Sequence, residues 1–164
     1  MSRVALPVIR DHFRLQADMT AWVATAFMLP LMILMPVYGR LSDGLGKRRL
    51  ILAGIFIFSI GTAMVTLAPD LSWLMAGRAI QGVGVGGIMP LGMALISTIF
   101  PPDERGKALG TWSSVGPTTA FIGPLFAGFL IEQWGWRVAF LPPMGVGVIA
   151  FLIVKQIVPS QLER

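Results

Sequence analysis

The residue in this 164-residue chain best suited to chemistry is Arg78, an arginine inside an otherwise apolar stretch. Counted from Ser72, it lies roughly 9 Å into a predicted helix at 1.5 Å per residue. A charge at the centre of a membrane helix costs roughly 2.5–3.5 kcal/mol, so such a residue normally faces a partner or a water-filled cavity. Gln81 follows one turn later and shares the same polar face. The pair is a candidate polar site, and the alternative is that the long arginine side chain snorkels to the membrane interface.

The glycine-rich run over 82–87 satisfies the spacing G-x-G-x-x-G. A dinucleotide site needs that spacing after a β-strand, whereas this run lies inside a long apolar helix, so we reject that interpretation. Gly82 and Gly86 instead form G-x-x-x-G, which lets helix backbones approach closely in lipid. The chain has no cysteine, no metal-ligand spacing and no nucleophile–base pair, so we expect no metal, no cofactor and no enzymatic activity.

These residues must be positioned by membrane helices. The chain is 55% hydrophobic and 13% charged, with a mean hydropathy of +0.76, whereas soluble proteins carry about 25% charged residues. Five apolar stretches reach or approach the roughly 20 residues that cross a bilayer. The sequence therefore predicts an all-α membrane protein, forming one unit over residues 1–164, whose five spans cover about 19–38, 50–67, 72–100, 107–131 and 138–158. The turns between them are short, so consecutive spans are antiparallel neighbours.

The basic residues are divided unequally between the two ends of these spans. One end carries eight cations: Arg40, Lys47, Arg48, Arg49, Arg105, Lys107, Lys155 and Arg164. The other carries four: Arg3, Arg10, Arg14 and Arg137. We expect the protein to lie in the inner cell membrane. Because Lys and Arg accumulate in cytoplasmic loops, the end with eight cations, which includes the C-terminus, should face the cytoplasm. The net charge of +5 therefore indicates topology and contact with lipid rather than binding of nucleic acid.

The interruption between the first two spans, Gly39–Arg49, reads Gly-Arg-Leu-Ser-Asp-Gly-Leu-Gly-Lys-Arg-Arg. Taken alone, it is an ordinary basic loop. The full pattern resembles the signature of the major facilitator superfamily of transporters. The resemblance implies a gating loop in which Asp43 helps to latch this half of the transporter against a second half. Its gating residues would be Gly39, Arg40, Asp43, Gly46, Lys47 and Arg48. Gly44 departs from the family, which usually has a basic residue there.

Two further motifs resemble the same superfamily. Arg78-Ala-Ile-Gln81-Gly82 resembles its fourth-helix motif, which implies a role in proton transfer and substrate contact. The run over 123–128 resembles the antiporter motif of its fifth helix, with Gly123, Pro124 and Gly128 shaping the helix for export. Thr119 and Ala127 replace glycines that are usual there; without the family context, this span is a kinked packing helix. The segments 4–7 and 135–140 are most similar to the fourteen-span drug:proton antiporters.

The resemblance implies a function and a fold for the whole chain. We expect this chain to be the N-terminal half of a transporter, which has six helices in the family. The apolar residues 4–9 would be the end of the first helix, most of which is missing. The C-terminal half would be absent. The implied activity is proton-coupled efflux of small amphipathic molecules by alternating access, driven by the proton gradient without a cofactor. The alternative is a truncated membrane protein that transports nothing and persists as a remnant or assembly partner.

Overall fold

The computed structural model describes residues 7–11 and 17–157, which are helical or lie in short turns. Residues 7–11 form a short helical segment. The following elements are α1 (Ala17–Leu45), α2 (Lys47–Thr66), α3 (Leu71–Val85), α4 (Ile88–Ile99), α5 (Pro102–Trp134), a 3-10 helix (Val138–Phe140) and α6 (Leu141–Ile157). In this part of the chain five helical stretches are long and apolar enough to cross a membrane. Helices α3 and α4 together form one of these stretches, and the 3-10 helix and α6 together form another. The prediction of an all-α protein with five spans is confirmed.

The third span differs from the prediction of one continuous helix over 72–100. It is interrupted at Gly86 and Gly87, so that α3 and α4 are separate helices. Two adjacent glycines weaken a helix because their backbones lose the most freedom on ordering. Pro90 adds to this, since it has no N–H to donate to the carbonyl four residues earlier. The span therefore consists of two helices that meet at the glycine pair.

Helices α2 and α3 pack closely where they cross, because two pairs of glycines face each other there. A Cβ built on Gly54 would lie 2.6 Å from the carbonyl oxygen of Gly84, and a Cβ on Gly61 would lie 2.8 Å from that of Gly77. Both distances are shorter than real side-chain contacts, so only glycine allows the backbones to come this close. Small residues drive helix association in lipid in this way, because dispersion contacts replace the hydrophobic effect there.

The two ends of the bundle are held by two separate apolar clusters. We call the end where α1 meets α2 the basic end, and its cluster comprises Tyr38, Leu50, Ile51, Ile55 and Leu91. The opposite end is the one where α2 meets α3, and its cluster comprises Ile9, Val23, Val65, Ala68, Leu74, Trp136 and Phe140. Since the second cluster includes Ile9, it joins the short segment 7–11 to α1, α2, α3 and the turn before α6. The middle of the bundle lies between the clusters, and the polar residues are found there.

Helix α5 is the longest element and the least covered by the rest of the chain. Asp103 and Glu104 occupy its first turn, where carboxylates favour the positive end of the helix dipole. Pro117 and Pro124 lie inside it. Only 6% of its apolar window is buried, compared with 39% in α2. Its exposed apolar side chains are therefore available to lipid or to a further helix.

Candidate functional site

Arg78 lies in the middle of the bundle on α3, and its side chain is 5% exposed. The helix that carries it begins at a well-formed cap, because the Asp70 side chain accepts a hydrogen bond from the backbone N–H of Trp73 at 2.8 Å. Such a cap satisfies one of the free N–H groups of the first turn and fixes where the helix starts. The cap thus fixes the start of α3, and with it the position of Arg78 along the helix.

A chain of hydrogen bonds links Arg78 to the neighbouring helix α2. The guanidinium Nη1 donates to Gln81 Oε1 at 2.9 Å, and Gln81 Nε2 donates to Thr62 Oγ1 at 2.9 Å. Thr62 in turn donates to the carbonyl of Phe58 at 2.8 Å. Gln81 and Thr62 are almost fully buried, so each polar group is satisfied by the next. The predicted pair is thus brought together, and Thr62 extends it to α2.

Two contacts from α1 complete the surroundings of the guanidinium. Its Nε donates to the carbonyl of Val23 at 3.4 Å, and its Cζ lies 4.6 Å from the centre of the Phe27 ring. An arginine over an aromatic face is stabilised by the ring quadrupole, more so when water is excluded. Among the side chains that the structure describes, no carboxylate forms an ion pair with this cation. The charge is held by dipoles and an aromatic ring instead.

Arg78 and Gln81 form the polar part of the wall of a cavity of about 680 Å³. Phenylalanines supply much of the apolar wall: Phe27, Phe58, Phe126 and Phe140. The far side is built by α5 from Gly116 to Gly123 and by the start of α6 at Pro142 and Pro143. A largely apolar cavity with a few converging polar groups is the usual form of a small-molecule site.

Of the three residues predicted to shape the fifth helix, Gly123 is buried and lines this cavity. Pro124, inside α5, follows it directly, and Gly128 is half-buried one turn further on. Ala127, which replaces a glycine of the family motif, is fully buried. The predicted motif therefore lies on the part of α5 that faces the rest of the chain.

Gly82 and Gly86 lie where α3 crosses α1. A Cβ on Gly82 would collide with the carbonyl oxygen of Phe27, and one on Gly86 would lie 3.1 Å from that of Leu31. The two contacts are one turn apart on both helices, as G-x-x-x-G packing requires. The sequence did not reveal the second set of close contacts, at Gly54, Gly61, Gly77 and Gly84, which joins α3 to α2.

The expectation of a loop over 39–49 is wrong. Helix α1 continues through Gly39 and Gly44 to Leu45, and α2 begins at Lys47, so that Gly46 alone separates them. Gly46 has a φ of 84°, which L side chains rarely adopt, and its N–H donates to the carbonyl of Ser42. The segment contains no proline. Gly39 and Gly44 each lower the stability of the helix slightly, but their helical neighbours outweigh that loss and the helix continues. The segment is a helix end and a one-residue turn.

The six residues predicted to gate therefore have unlike surroundings. Gly39, Arg40 and Asp43 lie on the last turns of α1 and are exposed, whereas Gly46 is buried in the turn. Lys47 and Arg48 are half-buried at the start of α2. Arg48 Nη2 donates to the carbonyl of Lys155 at 2.9 Å, in the last turn of α6. The positive charge thus meets the negative end of another helix.

Sequence reasoning missed the partners that α1 and α2 contribute to the site. Thr62 could have been recognised as a hydroxyl in the middle of an apolar span, at a position where a buried polar group needs a partner. The carbonyl of Val23 and the ring of Phe27 left no such signal in their residue types. Within the described residues no group of three His, Cys, Asp or Glu side chains lies close enough to hold a metal ion.

Comparison with known proteins extends these observations. The sequence model of the Major Facilitator Superfamily matches residues 1–161. The chain is 37% identical over 162 residues to an uncharacterised MFS-type transporter, YhcA, of Bacillus subtilis (strain 168), covering 96% of this chain and 30% of that protein. It is 33% identical over 157 residues to the riboflavin transporter RibZ of Clostridioides difficile (strain 630), covering 96% and 34%.

A multidrug resistance protein is also among the relatives. Multidrug resistance protein 3 of Bacillus subtilis (strain 168) is 33% identical over 147 residues, covering 90% of this chain and 29% of that protein. The chain thus spans about a third of the length of the curated relatives it matches. The matched third contains the Arg78 site and the segment 39–49.

Proposed function

The chain belongs to the Major Facilitator Superfamily, and we propose that it forms the N-terminal part of a proton-coupled exporter of small amphipathic molecules. As a multi-pass membrane protein of a transporter family, it would lie in the inner cell membrane with the basic end in the cytoplasm. The names of two relatives, a multidrug resistance protein and a riboflavin transporter, are consistent with small organic substrates.

The observation that carries the proposal is a buried cation on the wall of an apolar cavity. Arg78 is almost completely removed from solvent, has no ion-pair partner among the described side chains, and lines the cavity beside Gln81. Ionisable residues inside membrane helices are costly and mark substrate or proton pathways. A purely structural role would be served at lower cost by an apolar side chain.

The residues of the site would divide the work as follows. Arg78 would donate to an acceptor group of the substrate or to a proton-carrying carboxylate, while Gln81 and Thr62 hold its guanidinium in place. The phenylalanines would contact the apolar body of the substrate. Gly123, Pro124 and Gly128 would let α5 bend beside the cavity, since each proline removes a backbone hydrogen bond.

The energy source would be the proton gradient, with no cofactor. The eight carboxylates of the sequence are Asp11, Asp18, Asp43, Asp70, Asp103, Glu104, Glu132 and Glu163. In the sequence none of them lies deep within the five apolar spans, and none of those whose side chains the structure describes pairs with Arg78. The proton carrier would therefore come from another part of the transporter.

That other part would be a second bundle, related to this one as the halves of these transporters are related. The exposed apolar side chains of α5 would contact it or the surrounding lipid. The exposed Asp43 and Arg40 at the end of α1 would meet it at the basic end and gate the cavity. Nucleic acid is not expected as a partner, because the basic residues lie at a membrane surface.

The test is dye transport into or out of proteoliposomes under an imposed pH gradient, with the 164-residue chain expressed together with the second half. Arg78→Ala should slow gradient-driven transport roughly tenfold or more, since a hydrogen bond from a charged group contributes about 1.5–3 kcal/mol. Thr98→Val is the matched control, because Thr98 is exposed on α4 and bonds only to its own helix. Equal rates for Arg78→Ala and the wild type would refute the proposed role.

The second candidate, a membrane protein that transports nothing, is favoured by one observation: no described carboxylate pairs with Arg78, so the described residues place no proton carrier beside it. The same vesicles containing the 164-residue chain alone distinguish the two. We expect no gradient-driven transport from the chain alone and restoration when the second half is present. Transport that stays absent in both preparations would count against the proposed exporter and support the non-transporting alternative.

A further inference from the structure

The break in the third span has a partner on α1. At the end of α3, the carbonyl of Val83 accepts a hydrogen bond from the hydroxyl of Tyr38 at 2.8 Å. In an uninterrupted helix this carbonyl would accept from the N–H four residues later, that of Gly87. A side chain inserted into the backbone ladder is a recognised cause of a helix kink. At the break the Val83 carbonyl therefore accepts from the tyrosine hydroxyl, and no bond to it from the Gly87 N–H is formed among the described backbone groups.

The ring of Tyr38 fills the space that a side chain at the break would need. A Cβ built on Gly87 would lie 2.5 Å from both Cγ and Cδ1 of the ring. Tyr38 is 9% exposed and belongs to the cluster at the basic end, so its ring is packed against this part of the third span. Both the hydroxyl and the ring thus act on the same point of the third span.

Two features keep this point weak enough to change. Pro90 has no N–H, so the carbonyl of Gly86 lacks its usual donor whether the span is broken or straight. Gly86 and Gly87 both have right-handed helical backbone angles, with φ of −53° and −91°. Closing the Gly87 N–H onto the Val83 carbonyl therefore needs only a small backbone adjustment.

We propose that Tyr38 is a pin that holds a two-state hinge in the third span, at Gly86 and Gly87, in its broken form. With the pin engaged, the Val83 carbonyl is bonded to the tyrosine hydroxyl; with the pin withdrawn, it bonds to the Gly87 N–H and α3 and α4 join. Tyr38 lies about two turns before the end of α1 at Leu45, so a movement of that end of the helix would withdraw the pin. The hinge links that end of α1 to the helix carrying Arg78.

The proposal is tested on the 164-residue chain in nanodiscs and needs no transport activity, so it can fail independently of the proposed function. Tyr38→Phe removes the hydroxyl and keeps the ring. The amide of Gly87 should then exchange with solvent deuterium roughly fivefold more slowly, the protection expected of one net hydrogen bond. Thr25→Val is the control, because it removes a hydroxyl of α1 that bonds only within its own helix. Unchanged or faster exchange at Gly87 would overturn the proposal.

A second variant reaches the same state by another route. In Gly87→Ala the new methyl group displaces the Tyr38 ring, so the amide at position 87 should again be protected. Gly110→Ala is its control, since it favours its own helix equally and has nothing within 4 Å of the new methyl group. Tyr38 is the only tyrosine in the chain, so 3-fluorotyrosine gives a single ¹⁹F resonance. That resonance should move in Gly87→Ala and stay in Gly110→Ala; an unmoved resonance in Gly87→Ala would refute the pin.

Discussion

Both the crossing of α2 with α3 and the long helix α5 are rich in glycine, but the glycines do different things. In the crossing, Gly61 and Gly84 lie against the backbone of the other helix, closer than any side chain would allow. In α5, Gly106, Gly110 and Gly116 have nothing within 4 Å of the position of a Cβ. A glycine in a membrane span is therefore a packing residue only where another helix lies directly against it.

The same contrast holds for apolar and polar side chains. The crossing buries a complete chain of hydrogen bonds at Thr62, Gln81 and Arg78. Helix α5 leaves Phe121 77% exposed and Leu125 69% exposed, and its hydroxyls bond to its own backbone. The polar groups of the crossing are therefore satisfied by residues of this chain, whereas the exposed apolar side chains of α5 would need lipid or another helix to cover them.

The largest expected effect is that of Gly61→Val in the crossing. The new side chain would collide with the backbone N of Gln81 at 2.6 Å and the carbonyl of Gly77 at 2.8 Å, and neither backbone atom can move aside alone. We expect a loss of about 3 kcal/mol in the free energy of unfolding, measured by SDS titration in mixed micelles. Gly110→Val is the matched control in α5, where space is open. A similar loss in both variants would remove the distinction between the two regions.

A smaller effect is expected from Gln81→Leu, which cuts the hydrogen-bond chain. Gln81 bridges Arg78 and Thr62, and its removal leaves two buried groups without this partner, at a cost of about 1–2 kcal/mol within a membrane bundle. Unfolding in the same micelles measures it. Gln133→Leu makes the same substitution at an exposed position on α5 and should change the stability by less than about 0.5 kcal/mol. If the two variants lose equal stability, the bridge has no special role.

The smallest effect is expected from Phe121→Ala on the exposed face of α5. Because this side chain is 77% exposed in the described part of the chain, its removal should change the free energy of unfolding by less than about 0.5 kcal/mol. Phe140→Ala, whose ring is 4% exposed, is the buried counterpart and should lose about 3 kcal/mol. Repeating Phe121→Ala with the second half present sharpens the comparison, since a loss that arises only then identifies this face as an interface.

The spans themselves were predictable, because crossing a bilayer requires long apolar helices and leaves charged residues in the turns between them. The turns at Gly46 and around Ala68 lie where the charge pattern indicated them. The pairing of Arg78 with Gln81 followed from helical spacing, since residues three apart are neighbours on one face. Their shared contact with α2 did not follow, because no pattern within one span indicates which residue of the next span it meets.

Two boundaries were mispredicted for related reasons. Gly39 and Gly44 were expected to open a loop, yet α1 runs through them, whereas Gly86 and Gly87 were expected to lie in a helix and interrupt it. A glycine permits either outcome, and the neighbours decide. Beside Gly87 the ring and hydroxyl of Tyr38 favour the break, but this residue lies 49 positions earlier in the sequence. Of the glycines at these two boundaries, Gly46 is the one whose backbone needs glycine, with φ at 84°, as Gly135 does elsewhere in the chain with φ at 85°.

The hydrogen bond from Arg48 to the carbonyl of Lys155 has a consequence for how the bundle is assembled during synthesis. The two residues are 107 positions apart, so this contact forms only after α6 has been made. At a synthesis rate of about 5–20 residues per second, the delay is on the order of 5–20 seconds. All residues of the crossing of α2 with α3 have been synthesised before α6 begins. The glycine contacts of that crossing can therefore form while the basic end still lacks its bond to the final helix.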